Sequence, residues 1–182
     1  MEHRKDIYIK TLGLTPLSEE GGCFAETYRS LETMKVDGRE GSERNLFTTI
    51  YFMMTRELGG KNFFNRNESD ITHFFHDGWP AKYICVTPDG KIEEFTLGND
   101  ILNGHVLQLR VPGGCLKAAR ILTEEKGYAK FPGETPFTLI SEKMTPGFDY
   151  RDRFVPTASQ MKALYPNLWP QLEEFSAPDG KN

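Results

Sequence analysis

The chain is short of the features that staple a small fold covalently or place it in a membrane. Of its 182 residues only three are cysteines, Cys23, Cys85 and Cys115, an odd number at wide spacing with no C-x-x-C pair. Neither a disulfide framework nor a zinc ribbon follows from that pattern, and a reducing compartment is expected. No run of 18 consecutive apolar residues occurs, and the opening Met1-Glu2-His3-Arg4-Lys5-Asp6 is charged with no apolar stretch behind it. A cytoplasmic protein with no signal peptide and no membrane association is therefore expected. Basic residues are also few, with 22 Lys and Arg against 26 Asp and Glu for a net charge of −4. With no basic cluster long enough to follow a phosphate backbone, nucleic acid is not an expected partner, whereas a small-molecule ligand is.

What is present, 38% hydrophobic and 26% charged residues with 17 Gly and 11 Pro, describes one soluble domain able to bury a core and a pocket. The expected layout is a helix and loop over 1–20, a β-barrel over 21–155 and a helical tail over 156–182. Ile7, Ile9 and Leu12 precede Gly13, which suits a short helix with a glycine stop. From Phe47 onward short apolar runs over 47–54, 70–75, 82–86, 92–97 and 106–111 alternate with turn signals such as Gly59-Gly60, Asp77-Gly78 and Pro112-Gly113-Gly114. Pro88-Asp89-Gly90 is the clearest hairpin, because proline presets the turn and glycine accepts the positive φ. Eight or more short strands, with little room for crossover helices, predict an all-β barrel or sandwich. Thr157 to Gln160 has capping-box spacing, and Met161, Leu164, Leu168, Trp169 and Leu172 could line one apolar side of two short helices broken at Tyr165-Pro166. The polar stretch from Leu31 to Asn45 reads as a flexible loop, a surface insertion rather than a substrate lid.

Three stretches are more specific: Glu20-Gly21-Gly22-Cys23-Phe24-Ala25-Glu26-Thr27-Tyr28-Arg29-Ser30, then Thr49-Ile50-Tyr51-Phe52-Met53-Met54, then Met144-Thr145-Pro146-Gly147-Phe148-Asp149-Tyr150. In this order they resemble the cupin-5 family of single-domain cupins of unknown function. The resemblance implies a cupin double-stranded β-helix, or jelly-roll barrel, with a short N-terminal helix and C-terminal helices, a ligand pocket inside and a homodimer formed through sheet contacts. Metal-binding cupins supply three imidazoles and one carboxylate to one ion. Counting back from Gly78 places Asn65, Asn67 and Ile71 at three of these positions, with Phe64 and Arg66 as the alternative spacing for the first two, and Lys117 stands at the fourth. An ammonium and a hydrocarbon cannot coordinate a divalent cation, so a metal-free pocket with no cofactor is expected.

Along the strand from Asp70 to Phe75 alternate side chains share a face, which groups Ile71, His73 and Phe75 on the inside and Asp70, Thr72 and Phe74 outside. His73 is either a general base or a hydrogen-bonded core histidine. The opening stretch is also similar, more weakly, to nucleotide-sugar 3,5-epimerase cupins, which makes Glu26 and Arg29 candidate pocket residues or else a structural pair. Tyr51, Tyr83, Gln108 and Lys117 lie on strands that should line or flank the barrel. A buried Lys117 would require an acidic ligand or a nearby carboxylate. The expectation is a metal-independent cupin that binds a small polar metabolite, sugar-like or nucleotide-like, through Glu26, Arg29, Asn65, Asn67, Phe75, Gln108 and Lys117. The alternatives are a sugar or nucleotide-sugar epimerase or isomerase with His73 as base and Tyr51 or Tyr83 as acid, and a degenerate barrel with a collapsed apolar interior kept for protein contacts.

Overall fold

Strands separated by tight turns dominate the computed structural model, which describes residues 3–123 and 133–180. A helix, α1 (Arg4–Leu12), ends at Gly13 in the left-handed region, as the glycine stop predicts. Among the described residues thirteen strands follow: β1 (Thr15–Pro16), β2 (Cys23–Arg29), β3 (Thr33–Lys35), β4 (Glu43–Asn45), β5 (Thr48–Thr55), β6 (Lys61–Asn67), β7 (Asp70–Gly78), β8 (Ala81–Val86), β9 (Ile92–Leu97), β10 (Gln108–Val111), β11 (Leu116–Ile121), β12 (Phe137–Thr145) and β13 (Arg153–Phe154). Two short α-helices, α2 (Ala158–Leu164) and α3 (Trp169–Leu172), follow, and a 3-10 turn over Glu173–Phe175 continues from α3. One sheet has the order β1-β2-β5-β12-β7-β10, the other β13-β6-β11-β8-β9, and β3-β4 form a separate hairpin. All the strand pairs are antiparallel, giving the all-β jelly roll that the sequence predicts. Among the described residues no helix is long and apolar enough to cross a membrane.

Strand period explains how the apolar residues divide. On β8, Tyr83 and Cys85 join the core that also holds Phe52, Trp79, Phe137 and Ile140. Ile84 and Val86, one residue out of phase, join Phe64, Leu116 and Ala118 in a second core, which Met161, Leu172 and Phe175 of the tail cover. The tail begins with the expected capping box between Thr157 and Gln160. Leu164 does not take part: it is 54% exposed, because it lies on the side of α2 away from the sheet. The Pro88-Asp89-Gly90 hairpin forms as expected, with Val86 opposite Ile92 and Gly90 at φ 82°. At Gly78 a Cβ would stand 2.2 Å from the Phe137 carbonyl oxygen, so only glycine lets β12 approach β7 there.

The stretch over 31–45 departs from the flexible loop read in the sequence. It is the β3-β4 hairpin, and charge pins it down. Arg44, with a side chain 1% exposed, donates from Nε and Nη2 to both oxygens of Asp152 at 2.8 and 2.7 Å. Arg39 Nη1 adds 3.0 Å to the same carboxylate and 2.8 Å to Ser69 Oγ. A polar composition concealed an ordered element because its anchors, Ser69 and Asp152, lie far away in sequence.

Removing one partner of a buried, bidentate pair strands the other charge. Asp152→Ala is therefore expected to cost about 3–5 kcal/mol in denaturant unfolding, while Arg44→Met combined with Asp152→Leu recovers most of the loss. The hydrogen bond from Arg44, aided by the charge of Arg39, holds the Asp152 carboxyl below its ordinary 3.8. Its contribution is accordingly complete above that value and disappears as pH falls through the lower folded value, which acid titration of the wild type against Asp152→Asn measures.

Candidate functional site

A cavity of about 370 Å3 opens between the two sheets, within the size range of small-molecule sites. Two β-bulges decide which side chains reach it. On β2, Glu26 faces Ile50 but Tyr28 faces Thr49, so one extra residue is accommodated at Thr27. Thr27 Oγ1 stitches that bulge to the Thr49 carbonyl at 3.0 Å. Arg29 thereby returns to the face of Glu26 although three residues separate them. On β6, Asn65 lies opposite Lys117 and Asn62 opposite Ala119, again with one residue in excess. Asn62, Asn65 and Asn67 all line the cavity as a result, and Phe64 turns to the second core. The three-residue spacing that selected Asn65 and Asn67 thus matches the inward face. Arg66 of the alternative spacing lies over the Phe154 ring instead, 5.2 Å from its centre.

Five of the ten candidate residues, Glu26, Arg29, Asn65, Asn67 and Lys117, line this cavity. Glu26 and Arg29 also form a pair, Nε to Oε1 at 3.0 Å and Nη2 to Oε2 at 2.6 Å, and Arg29 Nη1 reaches the Phe148 carbonyl at 2.8 Å. His73 and Tyr83 are buried behind the lining, their rings edge to face with centres 5.1 Å apart. Tyr51 does not join them. Its strand neighbours Ile50 and Phe52 line the cavity, whereas Tyr51 projects to the other side of the sheet beside the His76 ring. Gln108 is exposed on the edge strand β10, sharing a face with Arg110 rather than with buried Leu109 and Val111. Phe75 shares the inward phase of His73 but packs into the main core instead of lining the cavity.

Of the lining residues that the sequence pattern did not single out, among them Glu20, Asn62 and Arg153, the most telling is Glu142. It lies on β12 between Ile140 and Met144 in the inward phase, opposite Ile50 on one neighbour and His73 on the other. A carboxylate in the apolar phase of a strand is the signal that could have found it. Its side chain is 12% exposed, and Oε1 stands 3.4 Å from His73 Nε2 and 3.9 Å from Lys117 Nζ. Lys117, with a side chain 4% exposed, donates to Asn62 Oδ1 at 3.3 Å. The buried ammonium therefore has a carboxylate close by, but both distances to Glu142 exceed those of good hydrogen bonds. Burial and the neighbouring Lys117 charge push the His73 imidazole well below its ordinary 6.5, so it is neutral at neutral pH. Burial, with Glu142 nearby, raises the Tyr83 hydroxyl well above 10 and keeps it protonated.

The other lining carboxylates are spoken for by arginines. Glu20 takes Arg153 Nε at 2.6 Å, Glu26 takes Arg29, and Asp149 takes Arg151 Nε at 2.9 Å and Nη2 at 2.6 Å. Two amide oxygens, in contrast, face no donor. Asn65 spends its Nδ2 on Asn62 Oδ1 and the Phe63 carbonyl, which fixes the amide's orientation, and its Oδ1 is left buried and unpartnered, as is Asn67 Oδ1. Phe24, Ile50, Phe52 and Met144 supply an apolar wall.

The divalent cation of other cupins does not fit this donor set. Asn65, Asn67 and Lys117 share the cavity, Ile71 is buried on β7, and His73 aims Nε2 at Glu142. Among the described residues no three His, Cys, Asp or Glu side chains are grouped to hold a metal ion.

Comparison with known proteins agrees with this architecture. The family described as Cupin_5, Cupin superfamily (DUF985), matches residues 6–155. An uncharacterized protein of Saccharomyces cerevisiae is 38% identical over 155 residues, spanning 80% of this chain and 72% of the yeast protein. A hypothetical protein from Leishmania major superposes with a TM-score of 0.82 at 28% identity, covering 94% of this chain and 98% of that one. A Shewanella oneidensis protein of known crystal structure gives 0.79 at 26% identity, covering 98% and 100%.

A histidine held neutral in the folded chain but free to protonate when unfolded makes stability fall below about pH 6.5, by up to about 1.4 kcal/mol per pH unit. Chemical denaturation between pH 8 and pH 5 is expected to show this loss, and His73→Gln to remove its part of it. An unchanged pH slope in the variant would mean that His73 is protonated in the fold.

Proposed function

The chain belongs to the Cupin_5 family of the cupin superfamily, and on that premise we propose that it binds a small polyhydroxylated metabolite inside the barrel without a metal ion. A free sugar, or the sugar part of a nucleotide-like compound, has the matching chemistry. The observation that carries this reading is the pair of buried amide oxygens, Asn65 Oδ1 and Asn67 Oδ1, which lack donors in a cavity that also holds the Lys117 ammonium. Leaving a buried acceptor unmet costs about 1–3 kcal/mol, and a ligand hydroxyl removes that cost. Lys117 has donors to spare for a ligand oxygen, while Phe24, Ile50, Phe52 and Met144 suit the C–H face of a sugar ring. Because Glu20, Glu26 and Asp149 are already matched by arginines, the wall presents little net charge, which favours an uncharged polyol over a strong anion. An open cavity that carries Asn65, Asn67, Lys117 and Glu142 on its wall supports a ligand-binding role over a barrel kept only for protein contacts. A second reading, proton-transfer chemistry on such a ligand, is favoured by the approach of Glu142 to His73 and Lys117.

A panel of free sugars, polyols and sugar nucleotides in a thermal-shift assay tests the binding. A ligand at 100 times its Kd should stabilise the fold by about 2.7 kcal/mol. Asn67→Ala is expected to weaken that ligand roughly tenfold, and Asn65→Leu or Lys117→Met more strongly, the lost hydrogen bonds being worth about 0.5–3 kcal/mol each. Stabilisation by no member of the panel, or equal stabilisation of the variants, would refute the proposal. Dialysis against a chelator is expected to leave both the melting temperature and the ligand response unchanged; loss of either would restore a metal to the site.

A further inference from the structure

Building on the ligand-binding reading above, we propose that Glu142 is a catalytic residue that moves a proton on the bound molecule while Lys117 holds its carbonyl oxygen. The ligand is then an α-hydroxycarbonyl compound, and the reaction a 1,2-proton shift that interconverts aldose and ketose forms. Two observations point there. The first is the distance from Lys117 Nζ to Glu142 Oε1, 3.9 Å. That gap is too long for a good hydrogen bond, but a carbonyl oxygen and its adjacent carbon, about 2.4 Å apart from standard bond lengths, can sit against the two groups at once. The second is that, among the described residues that line the cavity, Glu142 is the one carboxylate not bound by an arginine. Glu20, Glu26 and Asp149 are bound by arginines, Tyr51 is on the other side of the sheet, and His73 reaches toward the carboxylate rather than lining the cavity. Epimerisation at a carbon needs a proton acceptor on one face and a donor on the other. A single carboxylate serves one face, which suits proton transfer between neighbouring carbons.

In the step, a Glu142 oxygen takes the hydrogen from the hydroxyl-bearing carbon next to the carbonyl. The C–H electron pair becomes the C=C bond of an enediolate, and the carbonyl π pair moves to its oxygen, where Lys117 donates a hydrogen bond. Glu142 then returns the proton to the former carbonyl carbon. The hydroxyl hydrogen passes to the former carbonyl oxygen, and the neighbouring carbon becomes the new carbonyl. Substrate and product are isomers, so no oxidant or reductant is required. Asn65 and Asn67 accept from hydroxyls farther along the chain. His73 is a positioning residue: its Nδ1 lies 3.3 Å from the Leu109 carbonyl and its Nε2 3.4 Å from Glu142 Oε1, and as a neutral ring it has one N–H to share between these two acceptors.

The test is proton NMR in D2O with dihydroxyacetone, D-glyceraldehyde and the free C5 and C6 aldoses and ketoses, run beside thermal shifts with the same probes. Expected is deuterium at the carbon next to the carbonyl, accompanied by aldose–ketose interconversion. Glu142→Gln should lower the rate about 10²- to 10⁴-fold without abolishing the thermal shift. If that variant does not fold, Glu142→Asp, which withdraws the carboxylate by one methylene, should still lose at least about tenfold. His73→Asn should displace the pH–rate profile, which a merely structural role would not. A probe that stabilises the fold without exchanging would overturn the isomerase proposal and leave ligand binding standing. Inversion without ketose formation, or exchange indifferent to Glu142→Gln, would overturn it too. Absence of any thermal shift would overturn both.

Discussion

An ammonium inside a β-barrel is the constraint around which the interior is arranged. Lys117 sits on β11 with its side chain almost wholly out of water, and a charge so placed must be met by dipoles or by an opposite charge. Glu142 comes from the opposite sheet, Asn62 from the neighbouring strand, and His73 stays neutral beside them. None of these contacts is short, so the cluster is balanced in charge without being closed in geometry. A hydrophobic replacement of similar volume would pack at least as stably. Retention of the charged set is understandable when the groups act on something that enters the cavity.

The reach of these side chains depends on two irregularities in the ladder. Ideal alternation would send Arg29 away from Glu26 and Asn62 away from Asn65, since three residues separate each pair. One extra residue at Thr27 and another within Phe63-Phe64 restore both pairs to the inner face. Phe64, next to Asn65, takes the opposite face by ordinary alternation and joins the outer core beneath the C-terminal helices. The bulge therefore adds Asn62 to the inward Asn65 and Asn67, while alternation alone gives the outer face.

Around the cavity the mouth is held by arginines. Arg153 ties Glu19 and Glu20 to the turn that begins at Phe148, Arg29 fixes the Phe148 carbonyl, and Arg44 and Arg39 converge on Asp152. Planar guanidinium groups suit this work because each satisfies several acceptors from different segments at once. The carboxylates so engaged are orientation devices, and Glu142 is set apart from them by having no arginine.

Local patterning alone determined the glycine stop after Leu12, the hairpin at Pro88-Asp89-Gly90, the capping box at Thr157 and the inward phase of Ile71, His73 and Phe75. Each rests on neighbours within a few residues, and a propensity or an alternation reports such a relation directly. Together with the three motif stretches it led to the jelly roll and to five of the cavity residues, Glu26, Arg29, Asn65, Asn67 and Lys117. Tertiary structure decided the rest. Tyr51 faces outward and Gln108 lies exposed on an edge, facts that depend on which side of a sheet is covered and on which strand comes last. The hairpin over 31–45 is ordered by Asp152, more than a hundred residues away. The partnership of Glu142 with Lys117 and His73 joins three strands from both sheets, and no periodicity along one strand can specify a distance across a barrel.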